Sequence, residues 1–293
     1  MLVTLKEILN WTERHRCAVG SFNTPNLESI MAVVNAAEEC KVPVIIQHAQ
    51  LHESFMPISV IGPIMLDMAE KADIPVCVHL DHGETLEYIG KALEMGFTSV
   101  MYDGSALPYE ENVQNTQQAV YMARRTGASV EAEIGSMGKR ETGIQKVGDP
   151  EEDLSKIHTD PNQAKEFAEK TGIDALACSF GTSHGIYLKK PVLDMTVLDR
   201  IRDNVDIPLV MHGGSGVSEP DYRMAISKGI RKVNYYTYMA KAGGSKVVSE
   251  INLRYRKEPV LFHDISSWGM HAMKEDAKYA IRLFAVGETG KIC

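Results

Sequence analysis

Pro75-Val76-Cys77-Val78-His79-Leu80-Asp81-His82-Gly83 is a short apolar run that turns polar at its end. The following TLEYIGKALEMG (residues 85–96) carries apolar side chains at helical spacing and closes on a glycine suited to a C-cap. Together they read as one strand–helix unit with histidine and carboxylate at the strand's C-terminal end.

The same alternation extends on both sides. Counting outward from this unit gives eight runs that predict strands: Ala18–Phe22, Val42–His48, Val76–His79, Ser99–Tyr102, Ser129–Ile134, Ala175–Ser179, Leu209–His212 and Lys232–Asn234. Helical patterns lie between them, among them LESIMAVVNAAEECK, NVQNTQQAVYMARRTG and PNQAKEFAEKTG. Strands alternating with helices mean a parallel sheet, and eight such units predict closure into an α/β (β/α)₈ TIM barrel. The segments share pattern but not residues, so there is no internal repeat. One barrel domain over residues 1–293 is expected, with C-terminal helices at about 238–285 that barrel closure does not need. Their Trp268, Met270, Met273, Tyr279 and Leu283 suit either subunit contact or packing on the barrel wall.

Composition excludes several classes of function. With 44% hydrophobic and 24% charged residues the chain can bury a large core. A formal charge of -8 gives no electrostatic footprint for nucleic acid. No stretch is long enough to span a bilayer, and MLVTLKEILNWTERHR reads as a helix rather than a signal peptide. Cys17, Cys40, Cys77, Cys178 and Cys293 are odd in number and scattered, which predicts reduced thiols and a cytoplasmic setting.

Barrel enzymes carry reacting groups at the C-terminal ends of their strands. The third run ends HLDHG, the fifth is VEAEIG, the sixth is followed by GTSHG, and the seventh ends HGGSG. His82, His184 and His212 would sit at similar depths on three strands of one barrel, where their imidazoles can converge on one ion with positions left open for substrate. Alternation along the third run turns His79 and Asp81 to one face, so Asp81 suits acid–base work beside that ion. Its competing reading is a carboxylate that only orients a histidine. Gly213-Gly214-Ser215-Gly216 and Asn234-Tyr235-Tyr236-Thr237 follow the last two runs, where barrels often cradle phosphate on backbone N–H groups. The polar stretch 136–160 is too long for an ordinary connection and suits an active-site lid. Three histidines and an aspartate also suit a zinc hydrolase, and a barrel that binds sugar phosphate without turnover is a third reading.

In order and placement, HLDHG, VEAEIG, GTSHG, HGGSG and KVN-x-x-T, with SFNTPNLE near the N-terminus, resemble the class II fructose-bisphosphate and tagatose-bisphosphate aldolases over about residues 22–237. The resemblance implies a metal-dependent aldehyde-lyase that works on the C3–C4 bond of a ketose phosphate, with dihydroxyacetone phosphate as ketone partner. It implies Zn2+ on His82, His184 and His212 with Glu133 nearby, and Asp81 exchanging a proton with the C4 hydroxyl. Gly185, Gly213, Ser215, Asn234 and Thr237 would hold the phosphate, Asn23 would line the pocket, and a monovalent cation (Na+ or K+) would sit close by. A lid glutamate would serve as the second base, with Glu141 the best positional match and Glu151 or Glu152 as alternatives. A homodimer or homotetramer is expected. A lysine Schiff base is disfavoured, because CSFGTSH offers no buried lysine after the sixth run.

The chain also departs from that family. Ala49 stands where bisphosphate enzymes carry a serine that helps hold the second phosphate, and Tyr236 stands where they carry aspartate or alanine. The lid reads Lys139-Arg140-Glu141-Thr142 in place of Gly-Glu-Glu-Asp. The expected aldehyde partner is therefore not glyceraldehyde 3-phosphate, unless Lys139 or Arg140 restores the contact. The alternative is a fructose- or tagatose-1,6-bisphosphate aldolase proper.

Overall fold

The computed structural model describes residues 1–135, 158–183, 185, 191–254, 258–287, 290 and 292. Eight parallel strands close a barrel in sequential order, β1 (Val19–Asn23), β2 (Val44–Ala49), β3 (Val76–Gly83), β4 (Ser99–Tyr102), β5 (Ser129–Ile134), β6 (Ala175–Cys178), β7 (Leu209–Met211) and β8 (Ile230–Tyr235). The fold class read from the alternation is the observed one.

Two strands start later than their apolar runs, and helix capping is the reason. The chain leaves α2 (Leu27–Cys40) through left-handed Lys41, and the Val42 N–H bonds back to Ala37 O at 3.2 Å. Val42 thus completes a helix cap, and Pro43 has no N–H to offer a ladder. Similarly, the Ala18 N–H bonds to Phe284 O at 2.9 Å, so β1 begins at Val19.

The helix α1 (Leu5–His15) is held at its start by a capping box in which Thr4 and Glu7 satisfy each other's backbone N–H. Its Leu5, Ile8 and Leu9 close the bottom of the barrel against Val19, Ile45, Cys77, Ala175, Ala177 and Val210. The inward side chains higher up are polar, with Ser21, Gln47, His79, Ser99, Glu131 and Lys232 all buried. The apolar plug keeps water out from below, so those groups must satisfy one another or face the upper mouth.

The C-terminal α9 (Thr237–Arg254) and α10 (Phe262–Phe284) lie outside the barrel, and α10 packs chiefly on α2 and α9. Met273 and Leu283 are buried and Met270 packs on the core, whereas Tyr279 is exposed and Trp268 lies under the Arg254 guanidinium. Barrel-wall packing therefore accounts for three of the five side chains. Among the described residues, no helix is long and apolar enough to cross a membrane.

Candidate active site

The end of β3 departs from simple alternation. Period-two geometry sends His79 and Asp81 inward and would send Leu80 and His82 toward the helices. However, the pairing with β4 shifts register between Leu80 and Gly83, and His82 takes a left-handed backbone with φ 44°. The bulge breaks the alternation at the left-handed residue itself, so consecutive residues Asp81 and His82 both face the barrel mouth. Such a backbone is uncommon for a non-glycine residue, although histidine tolerates it better than most.

His82 and His212 meet edge to face, with ring centroids 4.7 Å apart. Nε2 of His82 lies 3.1 Å from Nδ1 of His212. The other nitrogen of each ring faces a carboxylate: His82 Nδ1 is 2.7 Å from Asp103 Oδ2, and His212 Nε2 is 2.8 Å from Glu131 Oε1. Ionised carboxylates only accept, so both outer nitrogens carry the proton and both inner nitrogens present lone pairs to each other. Two lone pairs at that separation repel. A cation between them removes the repulsion, and two nitrogen ligands of a tetrahedral zinc would stand roughly 3.3 Å apart. Burial also holds His212 below the ordinary histidine pKa, keeping it in the neutral form that a metal needs.

Glu133 Oε2 is 3.6 Å from His212 Nδ1, and Asp81, His82 and His212 can turn one ligand atom each toward a shared point. These donors fit a divalent metal. His184, the expected third imidazole, lies outside the described residues, as do Glu141, Glu151, Glu152, Lys139 and Arg140.

Asp81 is clamped from both sides. Asn23 Nδ2 donates to one carboxylate oxygen at 3.0 Å and Asn234 Nδ2 to the other at 3.1 Å. Asn23 Oδ1 accepts from Gln47 Nε2 at 2.7 Å, and Gln47 accepts in turn from the Ser21 hydroxyl. Burial alone would raise the Asp81 pKa, yet its electropositive surroundings, in which the Lys232 ammonium is the standing charge, hold it well below the usual carboxylate range. Asp81 is therefore an ionised acceptor of fixed orientation, as a general base requires.

Beside Asp81 opens a cleft lined by Gly185, Gly213, Gly214, Ser215, Asn234, Tyr236 and Thr237 together with Asn23, Leu51 and His52. Gly213 has φ 61°, and a Cβ there would sit 2.5 Å from the Ser183 carbonyl oxygen, so only glycine brings the two loops this close. The Ser215 hydroxyl accepts the Tyr236 N–H at 3.1 Å, tying the loop after β7 to the loop after β8. Asn234, expected in the phosphate cradle, lines the cleft with its amide turned to Asp81.

The opposite wall follows β2. His52 is buried with its ring centroid 5.6 Å from that of Tyr236 and 6.0 Å from that of His48. His48 Nε2 lies 3.1 Å from Tyr88 Oη, which donates to Glu53 at 2.6 Å. Burial, reinforced by His52, lowers the His48 pKa from 6.5 to about 4. Between those two values the unfolded chain takes up a proton that folded His48 refuses, so its contribution to stability is complete above pH 6.5 and is lost as pH falls toward about 4. Over that interval Tm should fall, with a slope of up to about 1.4 kcal/mol per pH unit from this group. In His48→Asn the slope should flatten; an unchanged slope would assign the acid sensitivity elsewhere.

Sequence reasoning did not assign Glu131, Asp103, Lys232 or His52. Glu131 and Lys232 stood inside VEAEIG and KVN, and Asp103 directly follows the fourth run, which is the positional signal that was available.

The comparisons with known proteins agree with this geometry. Residues 3–291 match the family described as fructose-bisphosphate aldolase class-II. The uncharacterized protein YdjI of Escherichia coli K12 is 39% identical over 98% of this chain and 99% of its own. A fructose-bisphosphate aldolase of Geobacillus stearothermophilus is 41% identical over 80% of this chain and 81% of its own. The crystal structure of the YdjI aldolase superposes with TM-score 0.84 at 36% identity, covering 99% of this chain and all of that one. The chain is thus a member of the class II fructose-bisphosphate aldolase family, a family of lyases.

Proposed function

We propose that this chain is a metal-dependent aldolase that makes or breaks the C3–C4 bond of a ketose phosphate, with dihydroxyacetone phosphate as ketone partner and an aldehyde other than glyceraldehyde 3-phosphate. The observation that carries this reading is the pair of inward imidazole nitrogens 3.1 Å apart, beside a clamped Asp81 and a glycine-lined cleft.

His82 and His212, with His184 and Glu133, would hold the metal, and zinc suits the imidazole set. When bound it supplies positive charge beside the breaking bond and stabilises the charge that develops on the ketone fragment. Asp81 takes the C4 hydroxyl proton that starts cleavage, and returns it in the condensing direction. Backbone N–H groups around Gly185, Gly213 and Ser215, with Thr237, hold the phosphate, and a monovalent cation (Na+ or K+) fits beside it. In condensation Glu141, Glu151 or Glu152 would take the proton from the ketone. A homodimer or homotetramer is the expected assembly, and exposed Phe262 on α10 is available to such a contact.

The aldehyde follows from the wall after β2. Ala49 has no hydroxyl, burial keeps His52 below the ordinary histidine pKa, and the described residues lining the cleft include no lysine or arginine. A second phosphate would meet neutral groups there, whereas hydroxyls would find the phenol and imidazole. Cleavage assays of fructose 1,6- and tagatose 1,6-bisphosphate against ketose monophosphates test this. Turnover should favour the monophosphates, and Ala49→Ser with Tyr236→Ala should raise bisphosphate cleavage about tenfold, the worth of one hydrogen bond to a charged group. Brisk wild-type cleavage of either bisphosphate would refute the substrate assignment.

A further inference from the structure

Lys232 is buried inside the barrel and does not itself line the cleft. Its ammonium lies 3.2 Å and 3.0 Å from the two oxygens of Glu131 and donates to Asn234 Oδ1 at 2.7 Å. Those partners lead in different directions. Glu131 accepts from His212 Nε2 at 2.8 Å, which leaves Nδ1 as the nitrogen turned toward His82. Asn234, with its carbonyl oxygen occupied by Lys232, must present its amide N–H to Asp81.

We propose that Lys232 is a positioning residue that couples the metal centre to the proton-transferring carboxylate: one ammonium sets the tautomer of His212 through Glu131 and the amide orientation of Asn234 at Asp81. The coupling rests on the functional reading above. Both choices are otherwise open, because an imidazole has two tautomers and an amide two flips of similar shape. Without the ammonium, Glu131 loses its counter-charge and turns toward other donors, and Asn234 loses the acceptor bond that opposes a flip. If the amide flips, an oxygen faces the Asp81 carboxylate.

The test uses the full-length protein, with Zn(II) affinity read by competition against a chromophoric chelator and the Co(II) absorption spectrum read on the substituted protein. Lys232→Met and Glu131→Gln should each weaken Zn(II) binding about 10–100-fold, as loss of an outer partner of a ligating histidine does. Circular dichroism identifies any variant that fails to fold, and Glu131→Gln/Lys232→Met, which leaves no lone buried charge, serves as the folded reference. Its affinity should equal that of the weaker single variant, because both changes break one chain. At saturating Zn(II), Lys232→Met should lower kcat with KM little changed, and methylammonium should restore part of the affinity and rate of Lys232→Ala. Wild-type Zn(II) affinity and an unaltered Co(II) spectrum in folded Lys232→Met would overturn the coupling alone. A wild-type chain that binds no divalent ion would overturn it together with the reading of the site.

Discussion

Exhaustive chelation of divalent metal is expected to abolish carbon–carbon bond cleavage, and Zn(II) to restore it. The expectation rests on tautomers rather than on residue types. Asp103 and Glu131 occupy the outer nitrogens of His82 and His212 and force the inner lone pairs to face one another at 3.1 Å. A structural hydrogen bond between two histidines needs one donor, and these carboxylates leave none while both rings are neutral. On the proposed reading, loss of the metal would remove the positive charge that stabilises the ketone fragment, and electrostatic stabilisation of this kind is worth several kcal/mol of barrier. Replacing His212 with alanine should reproduce the loss and also lower metal content, measured by elemental analysis. Full activity after chelation would end the mechanism.

Asp81→Ala should lower kcat by about 10²–10⁴-fold, the range for loss of a positioned acid–base group. The substitution also strips two buried amides of their acceptor, so stability should drop by about 1–3 kcal/mol for each amide left unsatisfied. Asp81→Asn separates the effects, since it keeps the volume while removing the charge. Both variants should keep a metal bound, because His82 and His212 retain their carboxylate partners. The same assay separates the alternatives raised by the sequence. A zinc hydrolase would release no aldehyde plus ketone phosphate, and a barrel that only binds ligand would show wild-type activity as low as that of Asp81→Ala.

The fold was legible because its rule is local. A parallel barrel needs strands buried on both faces and helices with one apolar stripe, and each is written into short windows such as VCVH and TLEYIGKALEMG. Two strand starts shifted where a helix-end carbonyl claimed the backbone amide, as Ala37 O does with Val42 N and Phe284 O with Ala18 N. The position of chemistry was legible too, since histidines and carboxylates at strand ends point to the barrel mouth whatever the partners. Partners were not legible. Asp103 and Glu131 stand 21 and 81 residues from the histidines that they orient. Glu131 shares its segment with Glu133, and nothing in VEAEIG says which carboxylate lies beneath His212 and which beside it.

By itself, the order of residues determined the barrel and the set of groups delivered to its mouth, because strand period, helix period and chain direction act within a few residues. Only tertiary structure decided how those groups act. It turned His82 inward by a left-handed kink, assigned each imidazole its tautomer, clamped Asp81 between two amides and set Lys232 beneath both. Each depends on which side chains meet across a closed sheet, where burial makes every unpaired polar atom costly and so leaves one arrangement of protons and charges.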